Sequence, residues 1–270
     1  MSELKLELRQ LRKEAMRAGV AAAQSGRAVA VDEPLAAAPW RFPDGHDITL
    51  VCAQWPEDML ARIPYTSPAD PDYIELLTYS ELDSLFDLYG HLRAANPANQ
   101  VNLRTANRLA RDDYTAHLVT LGGVDWNTLT SSTLEKLQLP VRQIADWGTE
   151  GGQYFEAGET EPMSQYRPVL KKSGDRMVLE EDVALFARAV NPFNRQRTLT
   201  ICNGMYGRGT YGAVRALTDA RFRDRNAEYL HARFGDSDSY GILTRVPIVN
   251  GATLTPDWTT RDYVLFEWPG

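Results

Sequence analysis

The feature that most constrains this chain is a glycine-rich stretch between a predicted strand and a predicted helix. Leu199, Ile201 and Cys202 form an apolar run typical of a buried strand, and residues 213 to 217 have the pattern of a helix. The glycines between them are Gly204, Gly207, Gly209 and Gly212. Strand, glycine-rich turn and helix in succession favour an α/β fold with an anion-binding loop, because glycine backbone can present N–H groups beside a helix N-terminus.

Three of these glycines, Gly207, Gly209 and Gly212, also match the pattern G-x-G-x-x-G of dinucleotide-binding loops. Such a loop normally follows the first strand of its domain, and an acidic residue closes the next strand. Here the loop lies in the last quarter of the chain, and the next predicted strand ends near Thr244 without an acidic residue. The lysine and hydroxyl residues of a P-loop are missing as well. The stretch therefore favours a turn that binds an anion or a ribose, rather than a dehydrogenase fingerprint or an ATP-hydrolysing loop.

The rest of the chain alternates between strand and helix patterns. Strands are predicted over 47–53, 101–106, 116–121, 182–190, 198–202, 240–246 and 263–266, and helices over 79–95, 130–137, 213–217 and 221–232. In the helix over 79–95, Ser80 is predicted as the cap, and the predicted apolar face consists of Leu82, Leu85, Phe86, Tyr89 and Leu92. Residues 145 to 180 are predicted as loops with short hairpin strands.

This alternation predicts one α/β domain over residues 45 to 270, with a Rossmann-like, three-layer architecture. Its sheet should be mixed, with parallel members and an antiparallel hairpin over residues 182 to 202. Residues 1 to 44 are predicted to be a helical arm followed by a linker. Leu4, Leu8 and Leu11 begin an apolar stripe over residues 2 to 18. An isolated helix of that length is marginal, so it should dock on its own domain, on a second copy in a homodimer, or on a partner protein.

Composition excludes several classes of protein. The net charge of −7 and the pI of about 5.2 argue against a nucleic-acid-binding surface. No apolar run approaches the length of a membrane span, and Glu3, Lys5 and Glu7 occur where a secretory signal would be apolar, so a cytoplasmic location is predicted. Two cysteines, Cys52 and Cys202, form no disulfide framework. The four histidines lack zinc-ligand spacing, so no metal site is predicted.

Polar, aromatic and glycine residues follow three of the predicted strands directly. In open α/β sheets, ligands bind beyond the carboxyl ends of the strands, so these residues are predicted to share one crevice. Tryptophans could stack a base, amide and carboxylate groups could bind hydroxyls, and glycines could admit the ligand. The predicted ligand-binding residues are Trp55, Gly122, Gly123, Asp125, Trp126, Asn127, Asn203, Gly204, Gly207, Gly209 and Gly212. The alternative is that the glycines form tight turns and the tryptophans pack in the interior.

One acidic residue is a candidate for catalysis. Glu135 lies on the predicted helix after Gly122 and Gly123. A carboxylate there could stabilise the positive charge that develops on a ribose carbon when a glycosidic bond breaks. A surface glutamate without a catalytic role is the alternative.

Three segments resemble an uncharacterised bacterial family of Rossmann-like α/β domains. They are Asp87–Pro97, Ala116–Asn127 and Asn191–Gly204. Members of that family are often found behind a helix-turn-helix or another signalling module, which implies a regulatory or defence role without an assigned activity. The arrangement of strand, Gly122-Gly123 and a helix carrying Glu135 is also similar to the layout of TIR-like nucleosidases, which implies cleavage of an N-glycosidic bond.

These observations leave three hypotheses for the function. The first is a sensor domain that binds a nucleotide or a nucleotide-derived molecule, because the glycines account for binding. The second is a hydrolase that cleaves the N-glycosidic bond of NAD or a nucleoside with Glu135 as the catalytic carboxylate. The third is a protein-interaction module that acts through residues 2 to 18. The sequence identifies no cofactor.

Overall fold

The computed structural model describes residues 39 to 269, and the predicted helix over 2–18 lies outside them. The strands are β1 (Ile48–Cys52), β2 (Val101–Thr105), β3 (His117–Leu121), β4 (Val141–Ala145), β5 (Gln153–Ala157), β6 (Ser164–Tyr166), β7 (Val169–Ser173), β8 (Arg176–Val190), β9 (Thr198–Gly204), β10 (Ser239–Val249), β11 (Ala252–Thr253) and β12 (Val264–Trp268). The α-helices are α1 (Glu57–Leu60), α2 (Leu82–Ala95), α3 (Thr128–Leu137), α4 (Gly207–Ala216) and α5 (Arg223–Phe234).

Nine of these strands form one mixed sheet. Its order is β11-β10-β8-β9-β3-β1-β2, with β12 also paired to β10 and β7 also paired to β8. Four adjacent strands run parallel to one another, in the order β2, β1, β3 and β9. Strand β8 pairs antiparallel with each of its neighbours, β9, β10 and β7. The sheet curls into a half-barrel. The prediction of a mixed sheet, with parallel members and an antiparallel hairpin formed by β8 and β9, is confirmed.

The parallel centre of the sheet is buried on both faces. Every residue of β1 and β3 is buried, which suits a strand covered on both sides. Leu50 faces a cluster with apolar side chains of α2, α4 and α5, and its neighbour Val51 faces a second cluster with side chains of α3, β4 and β5. In register, Cys52 lies beside Thr105 and Leu121, and Leu121 lies beside Cys202. The carboxyl ends of the four parallel strands therefore meet at one edge.

The structure corrects two sequence predictions for α2. On α2, Leu85, Leu88 and Leu92 form the buried face, whereas Leu82 and Phe86 are exposed, because the helix starts later and its apolar face has a different phase. Ser80 does not cap it, since its hydroxyl donates to the carbonyl of Ala53.

Part of the predicted linker belongs to the core. Trp40 and Phe42 are buried in the same apolar cluster as α2. The Asn96 side chain holds this segment in place by two hydrogen bonds of 2.7 Å. Its Oδ1 accepts from the Phe42 N–H, and its Nδ2 donates to the Trp40 carbonyl. The compact unit therefore begins before residue 45.

The segment predicted as loops with short hairpin strands contains such strands, and two of them belong to a second sheet. β4, β5 and β6 pair antiparallel in that order, and Val141 and Phe155 bury their side chains in the cluster below β1 and β9. Within residues 39 to 269, no helix has the length and apolar character needed to cross a membrane.

Candidate functional site

A cavity of about 280 Å³ opens at the edge where the parallel strands end. Its walls come from the residues that follow β1, β3 and β9, and from the loop after β4. The lining residues are Ala53, Glu81, Gly123, Asp125, Trp126, Trp147, Gly204, Met205, Tyr206 and Gly207. This position, beyond the carboxyl ends of the strands, is where ligands bind in open α/β sheets.

Aromatic rings form two groups around this cavity. The Trp147 and Tyr206 rings meet edge to face with their centroids 5.3 Å apart. The Trp55 and Trp126 rings lie 5.5 Å apart, and Trp55 lines an adjoining hollow that shares Glu81 with the cavity. These rings offer flat apolar surface on which a planar ring could stack.

Glu81 places a carboxyl group on the cavity wall. It precedes α2, and a Cβ on Gly207 would lie 3.3 Å from Glu81 Oε2. A Cβ on Gly122 would lie 3.4 Å from Glu81 Cγ and only 2.7 Å from Ala53 Cβ. Gly122 also has a φ of +104°, which favours glycine. Burial raises the pKa of Glu81 to about 7, the charges of Asp125 and Asp83 add to the increase, and a hydrogen bond from Thr210 opposes it. Glu81 can therefore gain or lose a proton near neutral pH.

A second carboxyl, that of Asp182 on β8, lies beneath the start of α4. Asp182 is fully buried. Its Oδ2 accepts hydrogen bonds from the Tyr206 N–H at 3.0 Å and the Gly209 N–H at 2.6 Å, and its Oδ1 accepts from the Val183 N–H at 2.8 Å. Burial raises the pKa of Asp182 to about 8, although these three N–H groups favour the ionised form, and the charge of Glu81 raises it further.

Asp182 changes the interpretation of the glycine-rich stretch. The stretch is largely helical, since α4 begins at Gly207 rather than at residue 213. The acceptor at its N-terminus is the chain's own Asp182 carboxyl group, which occupies the N–H groups that a phosphate would need. Gly209 is required by this contact, because a Cβ there would lie 2.6 Å from Asp182 Oδ2. Gly212 lies farther along α4, where a Cβ would collide with Val246.

Most of the predicted ligand-binding residues meet at this edge. Gly123, Asp125, Trp126, Gly204 and Gly207 line the cavity. Trp55 and Gly122 lie next to it, against the Trp126 ring and the Glu81 side chain respectively.

Two predicted hydroxyl-binding residues, Asn127 and Asn203, make structural hydrogen bonds, although the buried Asn203 Oδ1 accepts none within residues 39 to 269. Asn127 is buried and caps α3, since its Oδ1 accepts from the N–H groups of Leu129 and Thr130 while its Nδ2 donates to the carbonyls of Val51 and Leu121. It joins the end of the parallel sheet to α3.

Asn203 is buried below the cavity. Its Nδ2 donates to Gln143 Oε1 at 2.9 Å, and the same oxygen accepts from the Val124 N–H at 2.9 Å. Gln143 Nε2 donates to the Gly204 carbonyl at 3.2 Å. This network connects β4 to two walls of the cavity.

Glu135 lies in a different groove. That groove is formed by α3 and β4 and includes Leu134, Gln138 and Arg142. The carboxylates on the wall of the main cavity are those of Glu81 and Asp125. The role predicted for Glu135 gains no support from this placement.

The sequence analysis missed Glu81, Asp182, Trp147 and Tyr206. Glu81 falls within the helix predicted over 79–95 without any distinguishing pattern, and Trp147 lies in a segment without a periodic pattern. Asp182 carried the clearest available signal, since an acidic residue opens a run of eight buried positions on β8. Such a residue must find hydrogen-bond partners inside the protein.

The raised pKa values predict how stability varies with pH. Glu81 and Asp182 bind a proton more tightly in the folded than in the unfolded chain. The stability they contribute is complete below their ordinary pKa values and is lost as the pH rises through about 7 and about 8. We expect the free energy of unfolding to fall with rising pH in this range, with a slope of at most about 1.4 kcal/mol per pH unit for each carboxyl.

Urea denaturation between mildly acidic and mildly alkaline pH measures this effect. Burial lowers the pKa of His91 and His117, and these groups act in the opposite direction below neutral pH. The decisive quantity is therefore the difference between the wild type and the Glu81→Gln variant. A difference that does not change with pH would contradict the raised pKa of Glu81.

Comparisons with known proteins assign no family. The sequence matches no protein-family model, and a search of curated proteins gives no match. Within residues 39 to 269, no group of three or more His, Cys, Asp or Glu side chains is arranged to hold a metal ion. The resemblance to a bacterial regulatory family and to TIR-like nucleosidases stays a prediction.

Proposed function

We propose that the cavity binds a nucleoside-like small molecule as the ligand of a regulatory domain. The observation that carries this proposal is the grouping of two carboxyls, Glu81 and Asp125, with the rings of Trp126, Trp147 and Tyr206 around one cavity. A planar base fits the aromatic walls, and ribose hydroxyls can donate to the carboxylates. Trp147 Nε1 donates to Asp125 Oδ2 at 2.9 Å, which holds one carboxylate beside one ring.

The charges favour a ligand whose ring is positively charged. Glu81 and Asp125 face the cavity, and aromatic faces attract cations. The N–H groups of Tyr206 and Gly209 already bind Asp182, so the start of α4 has no vacant site for a phosphate there. A nicotinamide riboside unit, alone or within NAD⁺, combines a cationic ring with a ribose. We therefore propose this unit over neutral nucleosides and over ATP.

A comparison of oxidised and reduced nicotinamide compounds tests the proposal. NAD⁺ and NADH differ in the ring that would enter the cavity, which is cationic only in NAD⁺. We expect the protein to bind NAD⁺ at least about tenfold more tightly than NADH, which corresponds to about 1.4 kcal/mol. Titration calorimetry measures both affinities, and a thermal-shift panel extended to nicotinamide riboside, nucleosides, cyclic nucleotides and ATP gives the ranking.

Matched variants identify the site of binding. Glu81→Gln removes one of the two carboxyls with little change in shape, and it should reduce the preference for NAD⁺. Glu135→Gln makes the same change in the neighbouring groove and should preserve it. The proposal fails if no compound in the panel binds, if NADH binds as tightly as NAD⁺, or if Glu135→Gln alone removes binding.

A second candidate function is hydrolysis of the N-glycosidic bond of such a ligand. The observation that favours it is the pKa of Glu81, which burial raises to about 7. In this reaction the C–N bond breaks, and neutral nicotinamide leaves with the bonding electrons. The Glu81 carboxylate stabilises the positive charge on the ribose and then takes a proton from the water that adds to the same carbon.

Further parts of the proposal concern classification and context. We group the domain with Rossmann-like three-layer folds, because helices cover one face of the sheet and α3 with the small sheet covers the other. A cytoplasmic location and a regulatory or defence role rest on the sequence alone. An interaction module that acts through residues 2 to 18 stays an alternative.

A further inference from the structure

The outer face of α2 is unusual for the surface of a folded domain. Phe86 on this face is 85% exposed, and Leu82, one turn earlier, is 39% exposed. The opposite face of the helix, with Leu85, Leu88 and Leu92, is buried. α2 therefore has one apolar face in the core and a smaller apolar area that faces solvent.

Next to Phe86 on the outer face is a gap. Gly90, one turn after Phe86, is exposed, and a Cβ built there would have no other atom within 4 Å. A glycine weakens the interior of a helix, and the space around this one is open. Phe86 is thus a projection and Gly90 a notch, four positions apart on the same face.

The same face of α2 carries one negatively charged side chain near its start and one positively charged side chain near its end. Asp83 and Arg93 are both exposed, and neither forms a salt bridge within the described residues. Arg93 donates only Nη1, to the Asn99 carbonyl at 3.0 Å. Its remaining N–H groups can bind a carboxylate.

We propose that α2 is a dimer interface on which a second copy of this chain packs its own α2 in the antiparallel direction. When the two antiparallel helices are aligned so that residue 88 of one lies at the same level along the axis as residue 88 of the other, Phe86 of each copy lies opposite Gly90 of its partner. The same register places Asp83 opposite Arg93 and Leu82 opposite Ala94. Positions 83, 86, 90 and 93 have the alternating spacing of three and four residues that fills the seam between two helices. The face is therefore complementary to itself, as an isologous two-fold interface requires.

The proposed interface lies beside the candidate site. Leu82 and Asp83 line the hollow that adjoins the cavity and shares Glu81 with it. A second copy would cover this rim, so the two sites of the dimer would lie near its interface. The inference itself does not depend on which ligand binds or on whether the proposed function is correct.

An exchange of charges tests the interface in the full-length protein. Each dimer would contain two Asp83–Arg93 pairs, so Asp83→Arg or Arg93→Asp alone should place like charges opposite each other. We expect each single variant to raise the dimer dissociation constant at least about tenfold, measured by sedimentation velocity over a range of concentrations. The double variant restores opposite charges and should recover most of the affinity. Melting temperatures establish that the variants are folded.

Disulfide cross-linking tests the register independently. A mixture of Phe86→Cys and Gly90→Cys chains should form a covalent dimer under oxidising conditions more readily than either chain alone. The native Cys52 and Cys202 are buried, and burial raises the pKa of both thiols, so they should not react. A protein that is monomeric at all concentrations overturns the proposal. A dimer that is unaffected by the single variants, or a double variant as weak as the singles, overturns it as well.

Discussion

Replacing Asp182 with alanine is expected to lower the free energy of unfolding by about 3 kcal/mol or more. The change leaves the N–H groups of Val183 and Tyr206 without this acceptor, whereas the Gly209 N–H keeps its second acceptor, the Tyr206 carbonyl at 3.0 Å. A buried donor that loses its partner costs about 1 to 3 kcal/mol. Relief from burying a carboxyl offsets part of this cost. Urea denaturation of the variant and the wild type at the same pH measures the difference.

Two further variants separate this effect from a general loss of acidic residues. Asp182→Asn keeps the shape and one acceptor oxygen, so it should cost less than Asp182→Ala. Asp125→Ala removes an exposed carboxylate, and it should change stability by less than about 0.5 kcal/mol. Equal stability of the Asp182→Ala and Asp125→Ala variants would show that Asp182 does not hold the start of α4.

If the protein hydrolyses NAD⁺, replacing Glu81 with glutamine should reduce the rate about 10³-fold. Glutamine cannot accept a proton from water and cannot stabilise positive charge on the ribose to the same extent. The expected result is release of nicotinamide by the wild type and almost none by the variant, measured by chromatography. Concentrated protein should be included, because the proposed dimer covers the rim of the site.

Glu135→Gln is the matched control for this measurement. It makes the same chemical change on α3, in a groove separate from the cavity, and it should leave the rate unchanged. Loss of activity in Glu135→Gln with activity retained in Glu81→Gln would support the residue that the sequence analysis selected. Binding of NAD⁺ without any product would favour the sensor function over the hydrolase.

The pattern of strands was predictable because it follows from local composition. The apolar runs near residues 48 to 52 and 117 to 121 are buried on both sides, so their sequence contains few polar residues. The hairpin of β8 and β9 was predictable because a turn-forming segment separates two apolar runs. Within the small sheet, β5 and β6 agree with the short hairpin strands predicted over residues 145 to 180, whereas β4 was not predicted because it is short and only partly buried.

The outcome for α2 shows why helix faces are harder to predict. Leu82 and Phe86 fit the apolar stripe by spacing, yet both are exposed, while Leu88 is fully buried. Several apolar positions on a helix permit more than one phase, and the neighbouring elements decide which phase is buried. The sequence alone therefore predicted the helix and placed Leu85 and Leu92 correctly on its buried face, but it did not predict which other apolar residues face solvent.

By itself, the sequence determined that polar and glycine residues follow the parallel strands, because a buried strand must end where its apolar run ends. Only the tertiary structure decided what those residues contact. It brought Glu81 to the cavity from the residue before α2, and Asp182 to the start of α4 from a neighbouring strand. Both carboxyls act across long separations in the chain, and pairing between strands sets such contacts. A motif such as G-x-G-x-x-G specifies how closely a group can approach the backbone, whereas the fold specifies which group approaches.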